Sequence, residues 1–340
     1  MTEPGSDERI LLAHGSGGRL SQQLTERVFL RTFNSPVLRR LDDFAVVEGQ
    51  PGCFAFTTDS FVVKPVFFPG GDVGKLAVCG TVNDLAMSGA VPRYMSASFI
   101  IEEGFPIADL LRIARSMQRA AEEAGVEIVA GDTKVVESGK ADGVFITTTG
   151  LGHIPPSVSI SGAGARPGDK IILSGSIGDH GVAILSEREG FRLKTEITSD
   201  CAPLNGLVKA MLDVSADVRC LRDPTRGGLA TVLNELAGQS RVAMRIFESA
   251  IPIRDGVRAA CELLGYDPLY IANEGKLVAV VGAGVADAIV ETMRQLDYGR
   301  EASVIGEVLD GPAGRVTMVT KIGGSRVIDM LTGELLPRIC

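Results

Sequence analysis

The sequence has 340 residues, 45% of them hydrophobic and 22% charged, and its 34 basic and 42 acidic side chains give a formal net charge of −8. This is the composition of an ordinary globular protein long enough for two domains. The acidic balance without a basic run excludes nucleic acid or an anionic membrane surface as the main partner. No apolar run reaches the roughly 18–20 residues of a membrane span, and the polar start is unlike a signal peptide. We therefore expect a cytoplasmic protein.

The first half of the chain predicts a mixed domain of helices and strands. The glycine-rich segment 14–18 leads into a helix over 19–33. Strands over 41–47 and 54–63 form a predicted hairpin. The following elements are a helix over 72–89 that is apolar nearly all round, a strand over 94–101, an amphipathic helix over 106–124, and strands over 126–136 and 143–152.

The second half begins after the Pro-, Gly- and Ser-rich stretch 154–168, which is the clearest domain boundary in the sequence. Alternating strands and helices follow, and short strands over 303–309, 315–320 and 325–331 close the domain. We predict an α+β protein with an N-terminal domain over 1–153, a C-terminal domain over 154–331 and a flexible tail over 332–340.

The tail ends in Pro337-Arg338-Ile339-Cys340. Pro337 keeps the segment out of helices and central strands, and the nearby Arg338 favours the thiolate form of Cys340. Two interpretations stay open: a frayed end that happens to carry a cysteine, or a swinging nucleophile that enters an active site. The other five cysteines form no CxxC pair and are expected to be small buried hydrophobes; they stand at positions 53, 79, 201, 220 and 261.

Aspartates supply the candidate metal ligands. Asp84 falls on a helix that is apolar all round, and a buried carboxylate is costly unless it is paired. It is therefore either a metal ligand or a carboxylate hydrogen-bonded to a nearby loop. Further aspartates stand in strands or at strand ends, at positions 42, 43, 59, 132 and 223. Clustered carboxylates suit Mg²⁺, and glycine turns at helix starts suit phosphate, so the set points to Mg²⁺ bridging a polyphosphate.

Two common nucleotide signatures are absent. The sequence contains no GxxxxGK[ST], because Gly74-Lys75 is followed by Leu76, and Asp287 stands where the third glycine of a Rossmann fingerprint belongs. The three histidines are scattered, which argues against a zinc site.

Several motifs resemble those of a known superfamily of ATP-binding enzymes, which includes aminoimidazole ribonucleotide synthetase, selenophosphate synthetase and thiamin monophosphate kinase. They cover nearly the whole chain, at residues 42–47, 58–60, 82–92, 131–133 and 223–229. Within that superfamily, four segments resemble the HypE family of hydrogenase maturation proteins: 14–18, 130–136, 273–276 and 337–340.

The resemblance implies the two-domain fold of aminoimidazole ribonucleotide synthetase and an ATP-dependent carbamoyl dehydratase. A HypF-type carbamoyltransferase places a carboxamide on Cys340, the enzyme dehydrates it to a thiocyanate, and a HypC–HypD complex accepts the cyanide for the iron of [NiFe]-hydrogenase. The implied assembly is a homodimer in which two N-terminal domains share a β-barrel and ATP binds near the interface.

The resemblance also assigns residues. Cys340 carries the group, Lys134 steadies the γ-phosphate, and Glu274 is the general base. The implied ATP contacts are Gly15, Gly17, Gly18, Asn83, Gly131, Asp132 and Thr133. The implied Mg²⁺ ligands are Asp43, Asp59, Asp84 and Asp223, with Asp132 contributing.

Two alternatives remain at this point. A sibling small-molecule kinase or synthetase would leave the terminal thiol without a task, and it would need an added substrate to turn ATP over. A nucleotide-binding scaffold would bind ATP and dock partners without hydrolysis.

Overall fold

The structure, a computed structural model, describes residues 18–24, 26, 41, 45–49, 52–188, 196–333 and 339–340. Its helices are α1 (Arg19–Leu24), α2 (Val73–Met87), α3 (Ile107–Ala124), α4 (Asp179–Glu187), α5 (Asn205–Val214), α6 (Gly228–Ser240), α7 (Asp255–Leu264) and α8 (Ala286–Arg294). Short 3₁₀ turns lie at Glu248–Ala250, Pro268–Tyr270, Ala283–Val285 and Asp297–Gly299. Among these residues, no helix is both long enough and apolar enough to cross a membrane.

Five long strands of the first half form one sheet. The strands of this half are β1 (Ala45–Gly49), β2 (Gly52–Phe61), β3 (Phe67–Phe68), β4 (Gly71–Asp72), β5 (Val91–Glu102), β6 (Glu127–Val136) and β7 (Val144–Ile154). The sheet order is β1-β2-β7-β5-β6, with β3 and β4 as a separate ribbon. Only the β5–β6 pair of this sheet is parallel. The predicted hairpin is confirmed, because β1 and β2 pair antiparallel up to Gly49 and Gly52.

Helix α2 is the centre of the fold. Asp72 caps it by accepting hydrogen bonds from the backbone amides of Gly74 (2.8 Å) and Lys75 (3.1 Å). One side of α2 packs on the first sheet, while Ala86 and Met87 at its end pack into the core of the second domain. This double packing explains why the helix is apolar all round, as the sequence indicates.

Seven strands form the second sheet. They are β8 (Lys170–Leu173), β9 (Val218–Arg222), β10 (Ala243–Phe247), β11 (Val278–Val281), β12 (Ser303–Leu309), β13 (Val316–Val319) and β14 (Ser325–Ile328), in the order β14-β13-β10-β12-β8-β11-β9. All the pairs are antiparallel except β10–β13. Helices α6 and α8 pack against this sheet.

The two halves share a buried core. Ile184, Cys201 and Ala272 of the second half belong to the same apolar cluster as α2 and the first sheet. The junction is therefore closed by hydrophobic burial, and polar groups placed there are held between two rigid sheets.

Most predicted elements are confirmed to within a few residues. One difference is β5, which begins at Val91 rather than near residue 94, because Val91 and Pro92 pair with His153 and Gly152 of β7. The predicted helix over 19–33 can be compared only over Arg19–Leu24, where it is present. Four cysteines are buried as predicted (Cys79, Cys201, Cys220 and Cys261), whereas Cys53 is half-buried.

Candidate active site

The last two residues of the sequence lie inside the protein, at the domain junction. Ile339 is 3% exposed and belongs to the core cluster around α2, and Cys340 is half-buried against the same cluster. Nε2 of His180 donates a hydrogen bond to the carbonyl oxygen of Ile339 at 2.7 Å. The sequence predicts a free end, whereas in the structure these two residues are docked. Residues 334–338 lie outside the described part of the chain.

Three ionisable groups from both domains act on the Cys340 thiol: Arg226, Glu274 and Asp59. Burial is the largest cause that raises the pKa of this thiol, the two carboxyl groups raise it further, and the Arg226 guanidinium opposes them. The docked thiol is therefore neutral. The prediction of a thiolate is wrong for this position, because the loss of hydration outweighs the neighbouring cation.

Glu274 is the buried acid beside the thiol. It is 3% exposed, and its Oε1 has no hydrogen-bond partner among the residues that the structure describes. Burial, followed by electrostatic interactions with Cys201 and Asp223, raises the pKa of Glu274 well above its ordinary value. Its carboxyl group also interacts with the Cys340 thiol and raises the pKa of that thiol. A neutral carboxyl of this kind becomes a strong base once it loses its proton.

Backbone contacts hold Glu274 in place. Its amide donates to Oδ1 of Asp200 at 3.1 Å, and Nζ of Lys276 lies 3.1 Å from Oδ2 of the same carboxylate. Gly275 packs so closely that a Cβ there would lie 1.8 Å from the Asp200 carbonyl oxygen. The glycine of the 273–276 motif is therefore required by close packing.

Arg226 is a site residue to which the sequence analysis gives no role. It precedes Gly227 and Gly228, whose φ values of +81° and +62° allow the sharp turn into α6. Cys340 first, and then Asp59, Glu274 and Asp84, interact electrostatically with Arg226 and raise its pKa. The sequence signal for Arg226 is an isolated basic residue in a glycine-rich turn. Only the fold shows which acidic groups surround it.

Two acids of the first domain complete this cluster. Oδ2 of Asp84, which is half-buried on α2, accepts a hydrogen bond from Thr57 at 2.8 Å. Burial raises the pKa of Asp59 on β2, and Arg226 partly opposes that rise. The structure thus brings together two of the aspartates that the sequence analysis selects, with Arg226 beside both.

A cavity of about 600 Å³ adjoins the cluster. Its walls include Asp223, which is 8% exposed, and Arg226. Gly18 also lines it with a φ of +82°, and a Cβ there would lie 2.2 Å from the carbonyl oxygen of Leu331. The end of the glycine-rich segment therefore packs against the chain that leads into the tail. The predicted ligands Gly15, Gly17 and Asp43 lie outside the described residues.

Asn83 makes hydrogen bonds between the two domains. Its Nδ2 donates to the carbonyl oxygens of Ala202 (3.1 Å) and Glu274 (3.2 Å), and its Oδ1 accepts from the amide of Leu204 (2.8 Å). Both amide hydrogens and the oxygen are thus engaged across the junction. Asn83 therefore joins the domains, and its contact with ATP stays a prediction.

The predicted residues of β6 lie elsewhere on the sheet. Asp132 stands in a row with Ser60, Thr147 and Ser98 on the outer face, away from α2. Lys134, two residues on, points to the same face and pairs with Asp132 at 3.0 Å, with both side chains more than half exposed.

The Asp59 row continues instead through Thr148 and Ala97 to Gly131, and Thr148 faces the helix, donating to the Ala77 carbonyl oxygen at 3.0 Å. Within one chain, therefore, Lys134 and Cys340 lie on opposite faces of the sheet. The predicted ligand Thr133 lies in β6, between Asp132 and Lys134.

Comparison with known proteins shows the family to which this chain belongs. Residues 41–154 match the family AIR synthase related protein, N-terminal domain, and residues 166–319 match its C-terminal domain. A carbamoyl dehydratase HypE from Azotobacter vinelandii is 58% identical over 331 residues, which are 97% of each chain.

Two solved structures are similar over nearly the whole chain. The HypE–HypF complex has a TM-score of 0.87 at 49% identity, covering 91% of this chain and 99% of that one. HypE in complex with ATP has a TM-score of 0.82 at 50% identity, covering 98% and 100%. This chain therefore belongs to the AIR synthase related family and, within it, to the enzymes named carbamoyl dehydratase HypE.

Proposed function

We propose that this enzyme uses ATP to dehydrate an S-carboxamide on its own Cys340 to a thiocyanate, which supplies cyanide to the iron of [NiFe]-hydrogenase. The observation that carries the proposal is the position of Cys340, docked between Glu274 and Arg226 at the domain junction. A sibling kinase or a scaffold gives the docked thiol no chemical task.

The reaction needs activation because the carboxamide oxygen is a poor leaving group. The γ-phosphoryl group of ATP is transferred to that oxygen and leaves ADP. The carbon–oxygen bond then breaks as phosphate departs, and two protons leave the nitrogen over the sequence, so that S–C(=O)NH₂ becomes S–C≡N. The products are ADP, phosphate and the thiocyanate of Cys340.

The docked position suits proton removal and charge stabilisation. Glu274, once deprotonated, takes protons from the nitrogen of the group on Cys340. The Arg226 guanidinium stabilises the negative charge that develops on the phosphorylated oxygen. Both side chains already act on the sulfur of Cys340, one bond from the carboxamide carbon.

The cavity beside Arg226 and Asp223 supports ATP as the second substrate. Its volume of about 600 Å³ falls within the range of roughly 300–1,000 Å³ that is typical of small-molecule sites. We place the phosphate end of the nucleotide there, bordered by the glycine-rich segment that ends at Gly18. A solved structure of HypE in complex with ATP supports ATP as the nucleotide that binds.

Carboxylate oxygens that face Arg226 from the first domain fit Mg²⁺, which takes few protein carboxylates and completes its shell with phosphate and water. Asp59, Asp84 and Asp223 would hold it together with Asp43, and Mg²⁺ would neutralise charge on the transferring phosphoryl group. Among the described residues, no three acid, histidine or cysteine side chains form a metal site by themselves.

Lys134 reaches the site of a second copy in our proposal. The outer face of the first sheet exposes large apolar side chains, namely Phe56 (47%), Tyr94 (49%) and Ile100 (43%). Apolar exposure of this kind marks an interface, and pairing two such faces would build the shared barrel of a homodimer. Lys134 and Asp132 would then face the partner's ATP.

The proposed partners follow from the group that is carried. A HypF-type carbamoyltransferase supplies the carboxamide, and the HypE–HypF complex supports that step. A HypC–HypD complex accepts the cyanide, and the whole sequence takes place in the cytoplasm.

Mass spectrometry of the C-terminal peptide tests the proposal. The carboxamide on Cys340 should persist without nucleotide and lose the mass of one water when Mg-ATP is added. Cys340→Ala should remain folded and bind ATP but carry no modification, while Cys53→Ala, the change of another half-buried cysteine, should leave the reaction intact. A carboxamide that maps to another cysteine, or one at Cys340 that ATP leaves unchanged, would contradict the dehydratase mechanism.

Asp84→Asn should abolish Mg²⁺-dependent ATP binding without unfolding the protein. Asparagine keeps an oxygen that accepts the Thr57 hydrogen bond but loses the charge that attracts Mg²⁺. Calorimetric titration with Mg-ATP measures the effect, and Asp213→Asn, an exposed aspartate of α5, is the matched control. Wild-type affinity in Asp84→Asn would remove Asp84 from the metal site.

A further inference from the structure

We infer that His180 is a positioning residue for the reaction: it holds the peptide carbonyl of Ile339 and thereby sets where the sulfur of Cys340 lies. The inference rests on the proposed function, in which Cys340 carries the reacting group. His180 has no part in the proposed chemistry, and its side chain contacts the chain one residue before the sulfur.

The imidazole of His180 is fully buried and is held by contacts that are independent of the tail. It lies in the first turn of α4, and its Nδ1 is 2.8 Å from Oγ of Ser199. The ring of Phe68 meets it edge-on, with centroids 5.5 Å apart and planes at 90°. The Nε2 direction is therefore set by the folded domain.

The hydrogen bonds determine the tautomer. A carbonyl oxygen only accepts, so the Nε2 that faces Ile339 must carry the proton. Burial is the largest cause that lowers the pKa of His180, which keeps the ring neutral. Nδ1 of a neutral ring must then accept, and Ser199 donates its hydroxyl hydrogen to it while its Oγ accepts from the amide of Cys201 at 3.1 Å. Ser199 thus keeps the donor pointed at the tail.

Two contacts fix one residue of the tail. The carbonyl of Ile339 is bound by His180, and its side chain is 3% exposed in the apolar cluster around α2. With the preceding peptide held, only the torsions of Cys340 itself remain to place the sulfur between Glu274 and Arg226. A catalytic group displaced by about 1 Å can lose roughly 10²-fold in rate, so the anchor has a direct effect on chemistry.

The first test uses the imidazole signals of the chain, which contains three histidines. In long-range ¹H–¹⁵N spectra, wild-type His180 should show a proton on Nε2 and none on Nδ1. A chain shortened by Ile339 and Cys340 should shift the His180 signals and leave those of His153 unchanged. The shortened chain keeps the contacts of the imidazole with Ser199 and Phe68, which do not involve the tail. Identical His180 signals in both chains would overturn the inference.

The second test measures how well the tail is held, by alkylating Cys340 with iodoacetamide without ATP and quantifying the C-terminal peptide. His180→Leu should speed labelling about five- to tenfold, as expected for the loss of one net hydrogen bond. His180→Gln retains a donor and should remain closer to wild type, and His153→Leu, which changes a histidine of β7, should match wild type. Labelling in His180→Leu at the wild-type rate would also overturn the inference.

The positioning role of His180 and the proposed dehydration can each be contradicted without the other. Neither the spectra nor the labelling requires ATP or a carboxamide, so a confirmed anchor in a protein that does not dehydrate Cys340 would contradict only the proposed function. In a protein that does, His180→Leu should lower the dehydration rate while leaving ATP affinity unchanged. A change in ATP affinity with an unchanged rate would contradict the positioning role.

Discussion

Glu274→Gln is expected to slow dehydration of the Cys340 carboxamide by about 10²–10⁴-fold, the usual contribution of a general base. Glutamine keeps the size of the side chain, and the backbone bonds of residue 274 to Asp200 and Asn83 do not depend on the carboxyl group. ATP binding should therefore survive. Single-turnover loss of water, followed by mass spectrometry, separates the chemical step from binding.

The matched control is Glu262→Gln, which removes an exposed carboxylate of α7. It should react at the wild-type rate. A near-normal single-turnover rate in Glu274→Gln would show that Glu274 is only a buried structural acid.

Wild type and Glu274→Gln together also test the environment of Glu274. Because burial raises the pKa of this carboxyl in the folded state, its neutral form stabilises the fold at low pH. That contribution is lost as the pH rises through the raised value, since ionising the group then costs free energy only in the folded state. The unfolding free energy of wild type should therefore fall relative to Glu274→Gln as the pH rises. The opposite trend would mean that Glu274 is ionised and paired.

Lys134→Ala is expected to abolish dehydration in a homodimer but to be rescued by a partner that lacks Cys340. In a heterodimer of Lys134→Ala with Cys340→Ala, one site combines an intact Cys340 with an intact Lys134 from the other chain. One of two sites then works, so activity should return to about half of wild type. The expectation follows from the sheet, which places Lys134 and Cys340 on opposite faces within one chain.

Heterodimers carrying two different tags, purified on both, provide the sample, and the loss of water at Cys340 provides the readout. Lys140→Ala changes an exposed lysine just beyond β6 and should leave activity intact. An inactive heterodimer, with both parent proteins still binding ATP, would mean that Lys134 acts within its own chain. A monomer in solution would remove the proposed interface altogether.

Local patterns in the sequence were enough to determine several features of this protein. The all-apolar pattern of α2 indicates a helix buried on every side, and the paired strands at 45–61 follow from alternation around a turn. Asp59 and Asp84 could be selected from sequence because an acid inside an apolar run needs a partner wherever the run is buried.

Only the tertiary structure decided which groups meet. Arg226 stands in a turn and His180 at the start of a helix, and their roles appear when residues far apart in the chain converge at the junction. The same convergence brings Asn83 into hydrogen bonds with backbone carbonyl groups of the second domain.

The state of the Cys340 thiol was also decided by the fold. From the sequence, Arg338 favours a thiolate, but docking removes water from the sulfur and places carboxyl groups beside it, so the thiol is neutral. The face of Lys134 depends likewise on strand register across four strands. Hydrophobic periodicity reports burial within one element, whereas desolvation and charge pairing depend on neighbours that only the folded chain supplies.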